Sequence, residues 1–535
     1  MELPLEPPAE LIPGLRKRRR WRYVVGVIAA LVVVFAVLHW PSRTKIIISR
    51  ETTRIDGPLN PDGTVNYVAA LDAEMSDGIT PENNAAVLLI QALGPEMFQE
   101  QVRAESLQRL GNPSLGDPNR RFVSWKRWLE ARASPSGSQP GGSQKAKDWV
   151  ERIELATTRP WSEASDPQMA EWLRHNAHAL ALVVEASRRE RFYVPMVSGA
   201  DPPNVLDAIM VAFGDMRSAC RALAARAMLR LAEGNFRSAW GDVMALHRLA
   251  RLVSQCPTLI GQLVAMAPEN LAAESAVAIA ADPKLPADQA RAALADLQTL
   301  GPVTDVARCL DRGERFFVLD CVCMMARGMP LDQIQRDPSD RQPPKKAAAN
   351  LDWNLMLRAF NHWYDRMVDC ANRPSYPQRK QAFDDLENDI DALRGGFGPL
   401  RIIKLILLKL LGLPARAELT RIIGDLLISM LMPGTTHAME LQDRAIMRLE
   451  LDKLAFALAA YKADKGAWPA ALEDLRPDCL KDIPADRFTD KPLIYKPRPD
   501  GYILYSVGPN MTDDGGEEGA NADDLAVKVP LRGEP

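Results

Sequence analysis

The chain is short of aromatic residues, which make up 6% of its 535 positions while hydrophobic residues overall make up 47%. With few rings and an apolar fraction rich in Ala and Leu, the composition favours helices over sheets. Net charge is nearly absent, 66 Lys and Arg standing against 69 Asp and Glu. No global field therefore draws the protein to nucleic acid or to acidic substrates, and no nucleic-acid partner is expected. Histidine is scarce, with six residues. A Gly-x-Ser-x-Gly elbow, a Walker loop, a dinucleotide fingerprint and a His-Glu-x-x-His motif are all missing, so no catalytic constellation is nominated by spacing. Seven cysteines, an odd number, leave at least one unpaired within a monomer. Cys321-Val322-Cys323 fits neither a Cys-x-x-Cys redox motif nor a zinc knuckle, and the cysteines read as small core residues.

Long apolar runs are scarce too, with one exception. Tyr23 to Leu38 is continuously apolar or small, and with His39 and Trp40 it gives 18 residues, close to the roughly 20 needed to cross about 30 Å of hydrocarbon. Arg16, Lys17, Arg18, Arg19, Arg20 and Arg22 precede it, against Arg43 and Lys45 after it, so the positive-inside bias keeps residues 1–22 cytoplasmic. A cleaved signal peptide would have a shorter apolar region and a small-residue cleavage site, whereas Leu38-His39-Trp40-Pro41 follows here. The expectation is a single-pass membrane protein with an uncleaved helix at 23–40 and its bulk outside the cytoplasm.

The length suggests roughly three domains at about 100–200 residues each. Residues 41–334 read as an irregular helical array. Asn66 to Met75 and Thr80 to Leu93 show helical spacing, the second opened by Thr80 as cap and Pro81 at the first position. Ala133 to Ala146 is rich in Ser, Gly and Pro and reads as a flexible loop. Asp166 can cap one helix from Pro167 to Arg188. Met216 to Ala232 and Arg237 to Ser254, joined through Gly234, form an antiparallel pair that resembles one tetratricopeptide hairpin without a demonstrated repeat. Residues 335–349 look like a polar linker. Residues 350–432 form a second helical region, in which 400–411 and 419–432 are apolar but too short and too charged to span a bilayer. They are read as core helices, with contact to the membrane surface as the alternative. His175 and His178 stand at i and i+3, a spacing that can serve a metal, but no third ligand lies at a diagnostic distance.

The last hundred residues carry the most specific pattern. A helix from Leu441 to Lys465 exits into Gly466-Ala467-Trp468-Pro469, then Leu493-Ile494-Tyr495 and Gly501-Tyr502-Ile503-Leu504-Tyr505-Ser506-Val507-Gly508 form a hairpin, and an acidic glycine-rich end follows. This order resembles the soluble module of the major pseudopilin of type II secretion systems. The resemblance covers 433–535 and implies a small α+β module with a calcium ion in its last loop. Asn510, Asp513, Asp514, Asp523 and Asp524 are the candidate ligands, oxygen donors of the kind calcium takes. The helix lies more than 400 residues into the chain with no prepilin processing site before it, so a filament subunit is not expected. As a whole the arrangement is similar to large uncharacterised bacterial membrane-anchored proteins.

The fold expected is thus mainly α: an N-terminal transmembrane helix, an extracytoplasmic helical array and a pseudopilin-like C-terminal module. The preferred function is a non-catalytic scaffold or adaptor that binds envelope or secretion proteins. The alternative is an anchored extracytoplasmic hydrolase with its site in the helical body.

Overall fold

A computed structural model describes residues 45–132, 142–208, 214–303, 305–329, 351–395, 403, 407–408, 416–431, 435–519 and 522–530. The segments read as a basic tail, a membrane span at 23–40 and a linker at 335–349 lie outside these described residues, as does most of 400–411. The described chain is mainly helical, with its small sheet at the C-terminal end. It divides into two compact units that are interleaved in sequence: one of residues 56–318, 361–389 and 432–535, the other of 1–55, 319–360 and 390–431.

In the larger unit, local signals set the helix starts. Asn66 accepts from the Ala69 amide and caps Tyr67–Ser76. The next helix, Ala85–Leu93, is capped by Asn84 rather than Thr80. Thr80 and Asn83 instead bond each other's amides and close a turn ahead of the helix. Helix Gly142–Thr158 shortens the expected loop at 133–146 from its C-terminal side. The helix expected over 167–188 is two, Pro167–His175 and Ala177–Ala186, because Asn176 turns its side chain onto the backbone of Val123, accepting from its amide at 2.8 Å and donating to its carbonyl at 3.1 Å.

The antiparallel pair forms as read, from Gly214–Ala232 and Phe236–Val253. Its joint needs Gly234, whose φ of +73° suits a residue without Cβ, and Asn235 caps the second helix. Small buried side chains, Ala219, Ala222, Ala225 and Ala227 among them, let neighbouring helices approach closely. Asp242 ties the pair together, accepting from Arg226 at 2.7 Å and Arg230 at 2.6 Å while almost fully buried.

Among the described residues one helix, Leu259–Ala281, is long and apolar enough to cross a membrane by length and composition. This long apolar helix lies mid-chain and not at the N-terminus. It packs against Phe236–Val253 and against Thr435–Lys465, and it carries a proline, Pro268, inside.

Helix Thr435–Lys465 belongs to the expected C-terminal module, yet it is seated on Leu259–Ala281 and Ala287–Gln298 of the array. It also packs against strands of the C-terminal sheet. An antiparallel three-stranded sheet runs in the order β1 (Ile494–Pro497), β2 (Tyr502–Ser506), β5 (Leu525–Val529). Every residue of β2 is buried, and Leu504 pairs with Tyr495 on one side and Val527 on the other. Between β2 and β5 a minimal hairpin, β3 (Glu518–Gly519) with β4 (Ala522–Asp523), folds the acidic loop back on itself.

The smaller unit is stitched by polar contacts at the start of helix Trp353–Ala371. Asp352 donates its amide to Thr420 Oγ1 at 2.8 Å, and Arg416 reaches the Leu351 carbonyl at 2.6 Å. The buried Asn354 accepts from the Ile47 amide at 2.8 Å and donates to the Lys45 carbonyl at 3.1 Å.

Candidate metal centre in the C-terminal loop

Strand β2 ends at Ser506, and the chain turns at Gly508 into the acidic loop. Gly508 has φ +68°, and a Cβ there would stand 2.2 Å from the Asp523 carbonyl oxygen. Only glycine lets the loop entry lie against its exit. The hairpin register, Glu518 opposite Asp523 and Gly519 opposite Ala522, returns the chain so that Asp523 and Asp524 face Asp514.

Carboxylate oxygens of Asp514, Asp523 and Asp524 all lie within 4.8 Å of one another. Asp524 is fully buried; its Oδ2 accepts from the amides of Gly516 at 2.7 Å and Asp514 at 3.1 Å, while its Oδ1 is buried without a partner. Asp523 Oδ2 accepts from the Asn510 amide at 3.1 Å and from Arg444 at 3.2 Å, and its Oδ1 is likewise buried without a partner. Asp514 Oδ2 accepts from the Asn510 side chain at 2.9 Å and from the Asp523 amide at 3.3 Å. Burial, with neighbouring carboxylates adding to it, pushes the Asp523 and Asp524 carboxyls above the ordinary carboxylate range. Asp523 and Asp524 thus each leave one buried oxygen unpaired within a cluster of three carboxylates, donors of the kind that a hard, oxygen-seeking cation takes. Calcium is such a cation, and Asp514, Asp523 and Asp524 would hold it, which would stiffen the loop.

Of the five candidate ligands, three carboxylates are brought together. Asp513 turns away, accepting from Tyr505 Oη at 2.9 Å and from the Gly515 amide at 2.9 Å, and the latter bond holds it below the ordinary range. Asn510 braces the site with donors, while its side-chain oxygen accepts from the Thr512 amide at 2.6 Å. Arg444, on helix Thr435–Lys465, supplies a positive charge beside Asp523 from 79 positions away in sequence, and no sequence signal nominates it. The two histidines part at the break in their helix. His175 stacks on Trp128 at 4.7 Å, and His178 Nδ1 lies 2.9 Å from Arg120.

A second polar cluster, unforeseen from spacing, lies inside the array. His247 is fully buried with Nδ1 3.0 Å from Glu269 Oε2, and Arg251 reaches the same oxygen at 2.9 Å. Burial opposes ionisation of Glu269, but His247 and Arg251 outweigh it and hold the carboxyl below its ordinary value. Asp452 on helix Thr435–Lys465 is buried with Oδ2 unpaired, and burial together with the charge of Glu269 holds it well above the ordinary range. The fully covered groups cannot meet a substrate in this arrangement, and the cluster reads as structural.

Compared with known proteins, the chain matches no family model, no curated protein and no solved structure.

Proposed function

We propose that this is a membrane-tethered, non-catalytic scaffold whose C-terminal module is built like the soluble half of a type II secretion pseudopilin and closes around one calcium ion. The observation that carries the reading is the loop in which Asp514, Asp523 and Asp524 converge with two buried carboxylate oxygens left unpaired. A long helix laid on an antiparallel sheet, with an acidic loop between its last strands, supports the resemblance. Membrane attachment rests on the apolar run at 23–40 and its basic flank. Binding of envelope or secretion proteins is supported by the sheet, whose outer strand β1 is half exposed, an edge to which an extended segment of a partner can add.

Because helix Thr435–Lys465 packs on the array, the test uses the full chain in detergent. Calorimetric titration with calcium should show binding that is lost in Asp523→Asn/Asp524→Asn. Affinity purification from solubilised membranes, with and without a chelator, should yield envelope or secretion components in the calcium-loaded sample. An absence of binding at millimolar calcium would reject the metal site, and recovery of the chain without any partner would reject the scaffold.

A further inference from the structure

A helix that buries one face normally offers polar residues on the other. Helix Arg416–Leu431 does not follow this pattern. Leu419, Leu427 and Ile428 are buried, yet Leu426 and Met430, one turn apart on its outer side, are 40% and 63% exposed. In the same compact unit Ile403 and Leu407, again one turn apart and both helical, are 57% and 53% exposed. Four large apolar side chains paired at helical spacing go beyond the scattered apolar exposure of an ordinary surface.

In sequence, the apolar run leads directly into this unit. Asn354 grips Lys45 and Ile47, and Ile47 is itself 59% exposed. Trp40 closes the apolar run five residues before Lys45, a separation that an extended chain covers in at most about 18 Å. With 23–40 in the bilayer, the unit is held at the membrane surface. Basic residues accompany its apolar ones: Arg421 is 63% exposed, and Arg401, Lys404 and Lys409 intersperse the sequence around Ile403 and Leu407. Apolar side chains with interspersed cations suit a surface of acyl chains beneath anionic headgroups.

We propose that the described part of this unit after the apolar run, residues 45–55, 319–329, 351–360, 390–395 and 416–431 with Ile403 and Leu407, rests on the membrane, with Ile403, Leu407, Leu426 and Met430 inserted at the level where headgroups meet acyl chains. This inference rests on the reading of 23–40 as a membrane span. It assigns a lipid surface, rather than another protein, as what covers these residues.

The test is photolabelling of the full chain in vesicles of phosphatidylethanolamine and phosphatidylglycerol carrying a diazirine in the acyl chain, followed by peptide mapping. Peptides holding Ile403, Leu407, Leu426 and Met430 should be labelled along with the peptide of residues 23–40. In Ile403→Ser/Leu407→Ser/Leu426→Ser/Met430→Ser, labelling of those peptides should fall at least fivefold while that of 23–40 is unchanged. Should the fourfold variant fail to fold, Met430→Ser alone should lower the label on its own peptide. Label on 23–40 with none on the four peptides overturns the inference and leaves the anchor standing; that is also the result expected if a partner protein covers them. Absence of label on 23–40 overturns the anchor and the inference with it.

Discussion

The imidazole Nδ1 of His247 lies 3.0 Å from Oε2 of Glu269, in the interior where helices Phe236–Val253 and Leu259–Ala281 meet. The contact gives the longest apolar helix among the described residues a polar anchor point, with Arg251 bonded to the same carboxylate. Glu269 is what compensates Arg251 there. Glu269→Ala should therefore destabilise the fold by about 3–5 kcal/mol, the usual cost of stranding a buried charge. Urea denaturation at pH 7 measures it. Glu269 titrates below its ordinary value, so its contribution is present above about pH 4.3 and is lost as the pH falls through its folded value. The difference between wild type and Glu269→Ala should accordingly narrow in acid.

Asp452 carries the opposite sign. Its carboxyl is buried, has an unpaired oxygen and sits in the field of Glu269, which raises its folded titration point. Such a group contributes most below the unfolded value of about 3.9, and that contribution is lost as the pH rises through the folded value. Asp452→Asn, uncharged at every pH, should be more stable than wild type at pH 7 by roughly 1–3 kcal/mol, the cost of a buried polar group poorly satisfied. The gain should shrink toward pH 4. Equal melting temperatures for the two proteins across this range would show that Asp452 is satisfied in a way the geometry does not indicate.

What could be read from sequence was what is local. The joint at Gly234 depends on residues within a few positions and stands where spacing puts it, and the helix read from Asn66 begins one residue later, with Asn66 as its cap. The break at Asn176 depends on Val123, 53 positions away, and periodicity through the break looked unbroken. Strand β5 has no clear mark in the sequence, because Leu525-Ala526-Val527-Lys528-Val529 follows directly on an acidic glycine-rich stretch. In the candidate metal centre, residue type put five ligands forward. Backbone register then sends Asp513 to Tyr505 and Asp514 to the cluster, a distinction that neighbouring identical residues cannot show in sequence. The interior cluster joins Glu269 to Asp452 across helices far apart in the chain, and nothing local marks either.

Gly508→Ala tests the loop entry. The new Cβ would meet the Asp523 carbonyl at 2.2 Å, in a backbone conformation that already disfavours a side chain. The clash displaces a ligand-bearing segment without removing a ligand. Calcium affinity should drop by about 10–100-fold, as for other residues that position metal ligands, while far-ultraviolet dichroism keeps its helical form. Unchanged affinity would mean that the two ends of the loop do not need to touch.

Asp513 and Asp524 provide the sharpest contrast, because both are acidic loop residues and the structure gives them different work. Asp524 is buried, holds two backbone amides on Oδ2, leaves Oδ1 without a partner and belongs to the cluster with Asp514 and Asp523. Asp513 is exposed and engaged with Tyr505, which in turn accepts from Lys496 at 2.8 Å. Asp524→Asn keeps an acceptor of nearly the same shape but removes the charge, and should lower calcium affinity at least tenfold, about 1.4 kcal/mol. Asp513→Ala should change it less than about threefold. Protons add an independent readout: Asp523 and Asp524 titrate above the ordinary range, so in wild type calcium must displace protons and its affinity should rise with pH through the acid range. That rise should be shallower in Asp524→Asn and unaltered in Asp513→Ala. Equal losses in the two variants would mean that the loop attracts calcium by its total charge, without a defined ligand set.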